Sequence, residues 1–411
     1  MKLCRSVSMP LRKLLAICAS CLLLQSFVWA QKPNTPDPQA DFRIPVAPLG
    51  YVAPSSFYLT ARLSSISLDF IDNDRLLFTF RVAGLMKRMP DDPPDDEDQT
   101  IRALVLELPD GKVTAKSEWR VHDRSRYLWR MADGKFLLRQ RSSLYLTDRS
   151  LALLPYISSP YPLESVQVSP DRSLIVMEAK SSKESGSTLA STAPTLGDAA
   201  PERKPVQIFI LRAATRKLIA RAETLDAVEV PMLGEGHLLA VAGRQNQWLI
   251  RYAPFAGDER TLTEVESACH PTEEPVSKDV ALVMTCPRSG DDHLVSAVNA
   301  EGKKLWQQRW ESRYIWPTFQ LTQDGSRFAY SSLQVSHPIG PMDPIDETSI
   351  QNQMVGVFDT ATGQLRLVKN ATPILSAGQN YALSPDGSRF AILREGAIEI
   401  YNLPPAPSTS H

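Results

Sequence analysis

Short apolar runs and tight turn signals alternate along most of the chain after residue 56. The two clearest stretches are LTQDGSRFAYSS, which starts at Leu321, and LSPDGSRFAILR, which starts at Leu383. Each has an apolar lead, an Asp-Gly pair and a run of residues that favour strands. Because Asp, Asn and Gly tolerate the left-handed backbone of tight turns, each stretch predicts a β-hairpin.

The hairpin pattern recurs seven times, at spacings of 61, 38, 64, 44, 45 and 62 residues. Its turns lie at Asp72, Asp133, Asp171, Glu235, Asp279, Asp324 and Asp386. A second hairpin follows each of the first six copies. One of these, LRAATRKLIARAETL, also fits a helical spacing, but its alignment with VFDTATGQLRLV favours strand-turn-strand. Two hairpins make four antiparallel strands over about 40 residues, which is one propeller blade. The sequence therefore predicts an all-β, seven-bladed β-propeller of four-stranded antiparallel blades.

The last repeat lacks a fourth strand, because PPAPSTSH follows AIEIYNL and the chain stops. A replacement is predicted at the other end, where residues 57–63 read FYLTARL. Such an N-terminal strand would complete the last blade, close the ring and protect the sheet edges. The predicted organisation is a signal peptide at 1–30, a Pro-rich extended segment at 31–55, the propeller at 56–404 and a flexible tail at 405–411.

The first thirty residues have the pattern of a secretory signal peptide. MKLCRSVSMPLRK carries four positive charges, and a largely apolar run of 17 residues ends in Val28-Trp29-Ala30, which suits cleavage after Ala30. A retained membrane anchor is the alternative, although the run is short for a span. A lipoprotein is not favoured, because Cys18 and Cys21 lie inside the apolar run. The prediction is export to the periplasm or outside the cell.

Charge and cysteine content agree with an exported, globular chain. Removing residues 1–30 removes four cations and no anions, so the formal charge moves from −1 to −5, which argues against nucleic acid and anionic membrane surfaces as partners. Cys269 and Cys286 are the cysteines that remain, and an even pair in a secreted chain predicts a disulfide. A disulfide that closes a loop of this length would stabilise the fold by about 3 kcal/mol. Two free thiols, or half of a metal site with His270 and His293, is the alternative, but the spacing fits no zinc pattern.

Three of the repeats resemble a known family. VSPDRSLIVMEA, LTQDGSRFAYSS and LSPDGSRFAILR are similar to the SPDG-centred repeats of TolB-like (WD40-like, PD40) β-propellers, and the other four repeats match them loosely. VSAVNAEGKKLWQQRW alone resembles a repeat of quinoprotein-like propellers, and no WD dipeptide is present. The resemblance implies a fold more than a function. Members of such families include periplasmic interaction proteins, sensors and non-catalytic domains of peptidases.

Long insertions separate the second and third strands of the first, third and sixth repeats. They read GLMKRMPDDPPDDEDQ, KSSKESGSTLASTAPTLGDAAPERKP and QVSHPIGPMDPIDETSIQNQ. Second-to-third connections emerge on one face of a propeller, and loops on a rigid scaffold often carry function. Tolerated surface insertions are the alternative, because loop entropy makes them cheap. The composition of the third insertion is typical of disorder.

Two charged stretches add candidate chemistry. DDPPDDED, residues 91–98, could attract a basic partner or Ca²⁺, but it lacks the residue order of a calcium loop, and a solvated loop is the alternative. The stretch from Trp119 to Ser150 carries eight basic residues and three acids, with arginines interleaved with aromatic residues. It could bind an anionic ligand or pair with the acidic loop, or it could be an exposed strand face. The candidate binding surface comprises Asp91, Asp92, Asp95, Asp96, Arg124, Arg126, Trp129, His337 and Asp343.

Catalytic signatures are missing from the sequence. It contains no G-x-S-x-G, H-E-x-x-H, P-loop or dinucleotide fingerprint, so no catalytic residue, metal ligand or cofactor is predicted. We expect a monomeric, exported, non-catalytic scaffold that binds a partner protein rather than a small ligand. The main alternative is a propeller enzyme of hydrolase or lactonase type with a metal in the central channel, which carboxylates converging on the axis would favour. A quinoprotein-like assembly factor or cofactor binder is a third possibility.

Overall fold

The computed structural model describes residues 38–55, 65–84, 90, 98–122, 126–180, 205–287, 292–311, 313–337 and 348–406. The chain divides into two units, residues 1–39 and residues 40–411. Only Pro38 and Gln39 of the first unit are among the described residues, and the sheets described below all lie in the second.

Strands account for almost all the regular structure of the described residues, with one short 3₁₀ turn at Ala47–Leu49. In chain order the strands are β1 (Phe42–Pro45), β2 (Ile66–Asp72), β3 (Arg75–Arg81), β4 (Gln99–Glu107), β5 (Lys112–Val121), β6 (Leu128–Arg130), β7 (Phe136–Gln140), β8 (Ser143–Thr147), β9 (Leu154–Ser158), β10 (Leu163–Val168), β11 (Leu174–Lys180), β12 (Val206–Arg212), β13 (Leu218–Thr224), β14 (Met232–Leu233), β15 (Gly236–Ala242), β16 (Gln247–Pro254), β17 (Arg260–Glu266), β18 (Thr272–Pro275), β19 (Val280–Thr285), β20 (His293–Asn299), β21 (Lys304–Trp310), β22 (Tyr314–Leu321), β23 (Arg327–Val335), β24 (Ile350–Asp359), β25 (Leu365–Ala371), β26 (Tyr381–Leu383), β27 (Arg389–Arg394) and β28 (Ala397–Asn402).

These strands form seven four-stranded antiparallel sheets, arranged as the blades of a ring. Blades 1 to 6 each use four consecutive strands, beginning with β2, β6, β10, β14, β18 and β22 in turn. The predicted seven-bladed propeller is therefore confirmed. The ambiguous segment is also a hairpin, because β12 pairs with β13 in antiparallel register. No helix in the described part of the chain is long and apolar enough to cross a membrane.

The seventh blade combines both ends of the propeller, in the order β26-β27-β28-β1. Phe42 pairs with Ile400 and Ile44 pairs with Ile398, so β1 occupies the outer edge of β28. The predicted location of this strand is wrong: residues 57–63 lie outside the described residues, and β1 holds the edge where they were expected. The ring consequently begins inside the segment that was predicted to be extended. The short sequence FRIP suits this edge because Ile44 is buried while the side chain of Arg43 is 53% exposed.

Side chains of the repeated SPDGS motif build the turn between the first two strands of a blade. In blade 7, Asp386 Oδ1 accepts hydrogen bonds from Ser384 Oγ at 2.8 Å and from the backbone N–H of Ser388 at 2.9 Å. Gly387 has φ +67°, a conformation that a residue with a Cβ adopts at a cost. The Asp-Gly pair is therefore turn chemistry, as the sequence predicts.

The arginine that follows this turn joins neighbouring blades. Arg389 of blade 7 reaches blade 1, where its Nη1 donates to Asn73 O at 2.5 Å and lies 3.0 Å from Asp74 Oδ1. Arg327, the equivalent residue of blade 6, donates to Gly387 O of blade 7 at 2.5 Å. The second half of DGSRFA thus contributes contacts between blades, which the local hairpin pattern does not reveal.

A disulfide joins Cys269 to Cys286 in blade 5, with Cα atoms 5.6 Å apart. Cys269 lies just before β18 and Cys286 directly follows β19, the neighbouring strand. The N–H of Cys286 also donates to Ser267 Oγ at 3.0 Å. The connection that leads into blade 5 is therefore held to the end of β19 by both covalent and polar contacts.

Candidate functional site

The innermost strands of the seven blades surround a central channel. We call the face at which these strands begin the loop face, because the second-to-third strand connections leave from it, and the opposite face the turn face, because it carries the Asp-Gly turns. Two adjoining cavities of about 270 and 290 Å³ occupy the channel and share Arg126, Glu229, Glu274 and Phe319 in their walls. The second cavity reaches residues at the start of the innermost strands, including Ser67 and Leu128. It therefore forms the channel mouth on the loop face.

Two arginines cross the channel near the turn face. Arg130, at the end of β6, donates from Nη1 to Leu383 O of blade 7 at 3.1 Å. Arg172, in the turn after β10, donates from Nη2 to Leu321 O of blade 6 at 3.0 Å. Both side chains are buried. These contacts connect blades that are not neighbours, so the two guanidinium groups narrow the channel at the turn face.

Arg126 lies closer to the loop face than Arg130 and Arg172 do, and it contributes to the walls of both cavities. Its Nε donates to Leu128 O at 3.1 Å, and its guanidinium carbon lies 5.7 Å from the centre of the Trp129 ring. The side chain is exposed to the two cavities, and desolvation by the channel walls lowers its pKa. Among the described residues, Nη1 and Nη2 of Arg126 have no hydrogen-bond acceptor, so these two nitrogens are available to a ligand.

Among the described residues, no ion pair neutralises the positive charges of Arg126, Arg130 and Arg172. Within the described ranges, no carboxylate oxygen lies within 4.0 Å of any of the three guanidinium groups. Burial, and then repulsion by Arg130 and Arg126, lower the pKa of Arg172 to about 10, so Arg172 remains charged at neutral pH. Three unpaired guanidinium groups around one cavity favour the binding of an anion.

Carboxyl groups also lie in or near the channel, and burial raises the pKa of two of them, Asp69 and Glu274. Asp69 is buried on β2 and accepts a hydrogen bond from Ser67 Oγ at 2.7 Å. Burial raises its pKa, although that hydrogen bond and the charges of Arg126 and Arg130 oppose the shift. Burial and the nearby Glu229 raise the pKa of Glu274 to about 8, against the opposing effect of Arg126. Glu274 is consequently mostly protonated at neutral pH, which leaves the guanidinium charges dominant.

The raised pKa of Glu274 predicts that stability falls as the pH rises from about 4.5 to about 8. In this window the folded protein holds a proton that the unfolded chain has released, so each increase in pH favours unfolding. We expect the melting temperature of the wild type to fall more steeply between about pH 6 and pH 9 than that of Glu274→Gln, which cannot ionise. Differential scanning calorimetry across this range measures both slopes. Equal slopes would show that Glu274 ionises normally in the folded state.

Two residues of the sequence-predicted surface meet in this channel. Arg126 and Trp129 both line it, and Trp129 is buried on β6. The pairing of the basic stretch with the acidic loop is observed for the last acid of that loop, because Asp98 forms ion pairs with Arg120 and His122. Arg120 also belongs to β5 of blade 1, not to the second repeat.

The other predicted surface residues are not brought to the channel by the described structure. His337 lies after β23, where its Nδ1 is 2.9 Å from Ser336 Oγ, and both residues are exposed. The remaining predicted residues lie outside the described residues: Asp91, Asp92, Asp95, Asp96, Arg124 and Asp343.

Sequence reasoning missed several channel residues, although two of them left a signal. Arg172 occupies the position that Gly387 holds in the seventh repeat, and it has a positive φ of 65° there. Asp69 interrupts an otherwise buried apolar run in ISLDFID. Each of these two residues is a charged side chain at a repeat position where glycine or an apolar residue is expected, and this departure could have identified Arg172 and Asp69 as candidate functional residues. Glu274 lies in TEEP, which carries no comparable signal.

Comparisons with known proteins do not assign an activity to this chain. No family model matches the chain, and no curated protein matches it. Among solved structures, the acylaminoacyl peptidase of Pyrococcus horikoshii is 10% identical with a TM-score of 0.48, over 84% of this chain and 52% of that chain. A putative TolB from Agrobacterium tumefaciens is 14% identical with a TM-score of 0.39, over 70% and 94% of the two chains. The β-propeller domain of the Trilobed protease from Pyrococcus furiosus is 8% identical with a TM-score of 0.44, over 84% and 99%. This chain therefore spans about half the length of the peptidase, and the likenesses are too weak to transfer a ligand or a reaction.

Proposed function

We propose that the protein is an exported, non-catalytic binding propeller that holds a partner protein at the loop face, over the mouth of the central channel. The observation that carries this proposal is the asymmetry of the channel. The second cavity reaches the loop face, whereas Arg130 and Arg172 cross the channel near the turn face. The long connections of blades 1, 3 and 6 leave from the same face as the mouth, so a partner could contact both. The predicted surface residues Asp91, Asp92, Asp95, Asp96 and Asp343 belong to two of these connections.

The charge pattern of the channel favours binding over metal-dependent catalysis. Carboxyl groups do line the channel, as the enzyme alternative requires, but guanidinium groups lie among them. In the part of the chain that the structure describes, no group of three His, Cys, Asp or Glu side chains could hold a metal ion. A metal cation in the channel would also be repelled by Arg126, Arg130 and Arg172. These features support the binding proposal.

Site-specific photo-crosslinking in the native host tests which face meets the partner. We expect a photoreactive amino acid at Ala227 to capture a specific protein, because Ala227 is exposed in the connection between β13 and β14, two residues from Glu229 at the mouth. The matched control is the same amino acid at Lys278, which is exposed in the turn between β18 and β19 on the opposite face. Mass spectrometry identifies the captured protein.

Capture from Ala227 but not from Lys278 supports the proposal. Equal capture from both positions would place the partner elsewhere on the molecule. The absence of any captured protein from Ala227 would refute the proposed protein partner.

A further inference from the structure

We infer that the central channel binds an oxyanion, a carboxylate or phosphate-type group of a ligand, against the guanidinium of Arg126 with Arg130 and Arg172 beneath it. This inference rests on the proposed function, because it names the chemical group that the channel recognises. The three side chains come from blades 2 and 3, yet they line one cavity of about 270 Å³. A cavity of this size accommodates a small anion or the anionic end of a larger ligand.

The hydrogen bonds of the three arginines give each of them a distinct part in the site. Arg130 and Arg172 already donate to main-chain carbonyl oxygens on the far side of the channel, so they are fixed in place and contribute mainly charge. Arg126 uses Nε for Leu128 O and leaves its two terminal nitrogens without an acceptor among the described residues. The planar fork of a guanidinium matches two oxygens of a carboxylate or phosphate. Arg126 is therefore the direct ligand contact.

The position of Arg126 is set before any ligand arrives. Its guanidinium lies near the face of the buried Trp129 ring and is tied to the backbone through Leu128. A pre-oriented side chain loses little rotamer freedom on binding, so more of the interaction energy appears as affinity. Because the channel walls limit the surrounding water, each charge-assisted hydrogen bond is stronger there than on the open surface.

The acidic neighbours make anion binding dependent on pH. Glu274 faces Arg126 from β18 of blade 5, and Glu273 is the neighbour of Glu274 on that strand. Glu229 lies in the connection before β14, and Tyr381 faces Arg126 from blade 7. A protonated Glu274 can donate a hydrogen bond to a bound anion, whereas its ionised form repels one. Asp69, on β2, also acts on Arg126 and adds negative charge when it ionises. Anion affinity should therefore fall as the pH rises through the range in which Glu274 loses its proton.

Isothermal titration calorimetry with sodium sulfate and sodium succinate tests the inference on the protein purified from its host. Both probes keep a double negative charge between about pH 7 and pH 9, so a pH effect reports on the protein. We expect Arg126→Gln to weaken binding roughly ten- to hundredfold, as loss of a charge-assisted contact requires. Arg149→Gln is the matched control, because it makes the same change at an exposed turn-face position and should leave affinity unchanged. Glu274→Gln should remove the pH dependence and retain binding.

Several outcomes separate this inference from the proposed function. Tighter binding of succinate assigns a carboxylate ligand, and tighter binding of sulfate assigns a phosphate-type ligand. The inference is wrong if neither anion binds the wild type, or if Arg126→Gln binds as tightly as the wild type while circular dichroism shows both folded. Should Ala227 still capture a partner in that case, the proposed function would stand without the anion site. Anion binding that depends on Arg126, with no captured partner, would support the inference and count against a protein partner.

Discussion

Replacing Arg327 by alanine is expected to lower the free energy of unfolding by about 3–5 kcal/mol. The Arg327 side chain is 1% exposed and forms an ion pair with the buried Asp359, at 2.9 Å from Nε to Oδ1. It also donates to Gly387 O of blade 7 and to Pro404 O beyond β28. Removing it leaves Asp359 Oδ1 and Gly387 O, in two blades, without this donor, while Arg366 still pairs with Asp359 Oδ2. Urea unfolding followed by tryptophan fluorescence measures the loss.

Arg389→Ala is the matched control, because Arg389 holds the same place in the second copy of DGSRFA. Its side chain is 24% exposed, and its carboxylate partner Asp74 is 76% exposed. Exposed pairs contribute about 0–1 kcal/mol, so this variant should remain close to the wild type. If the two variants lost the same free energy of unfolding, burial of the Arg327 side chain would not determine its contribution to stability. The pair of variants therefore tests whether the arginines of two identical DGSRFA segments contribute unequally to the free energy of unfolding.

Replacing Ile44 by aspartate is expected to destabilise the ring by about 4 kcal/mol and to promote association between molecules. Ile44 is 3% exposed and packs with Ile398 and Ile400 in the core shared by blades 7 and 1. A carboxylate there would be buried without a partner, so β1 should leave the sheet. The edge of β28 would then be unpaired and open to another chain. Urea unfolding and analytical ultracentrifugation measure the two effects.

Arg43→Gln provides the control for the same strand. Arg43 points away from the core, and its ion pairs with Glu395 and Glu399 are long, at 3.8 Å each. We expect a change within about 0.5 kcal/mol. If Ile44→Asp behaved like Arg43→Gln, β1 would not be the strand that closes the ring.

The closing strand illustrates why a strong local pattern can mislead. FYLTARL is longer and richer in strand-favouring residues than FRIP, so propensity alone selects it. The edge of β28, however, is filled by β1, whose pairing in register buries Ile44 against Ile398. Strand propensity measures fit to a half-buried pleated surface, and the partner surface is not visible in the segment itself.

The basic stretch shows the same limit at the candidate site. Its composition marked Arg126 and Trp129 as candidates for binding an anion, and both residues line the same cavity. It did not indicate that they face the propeller axis, nor that Arg172 and Glu274 lie in the same walls. Arg126 and Glu274 are almost 150 positions apart in the chain, and no periodicity relates them.

By itself, the sequence determined the all-β class, the number of blades and the position of each hairpin turn. Those features depend on local physics: Asp and Gly set the turn, and the residues on either side set the strands. The tertiary structure alone decided which segment closes the ring, which arginine of DGSRFA is buried and which charged residues meet in the channel. The physical reason is that closing the ring places distant residues beside one another, and their burial and mutual charge then set their protonation and their capacity to bind an anion.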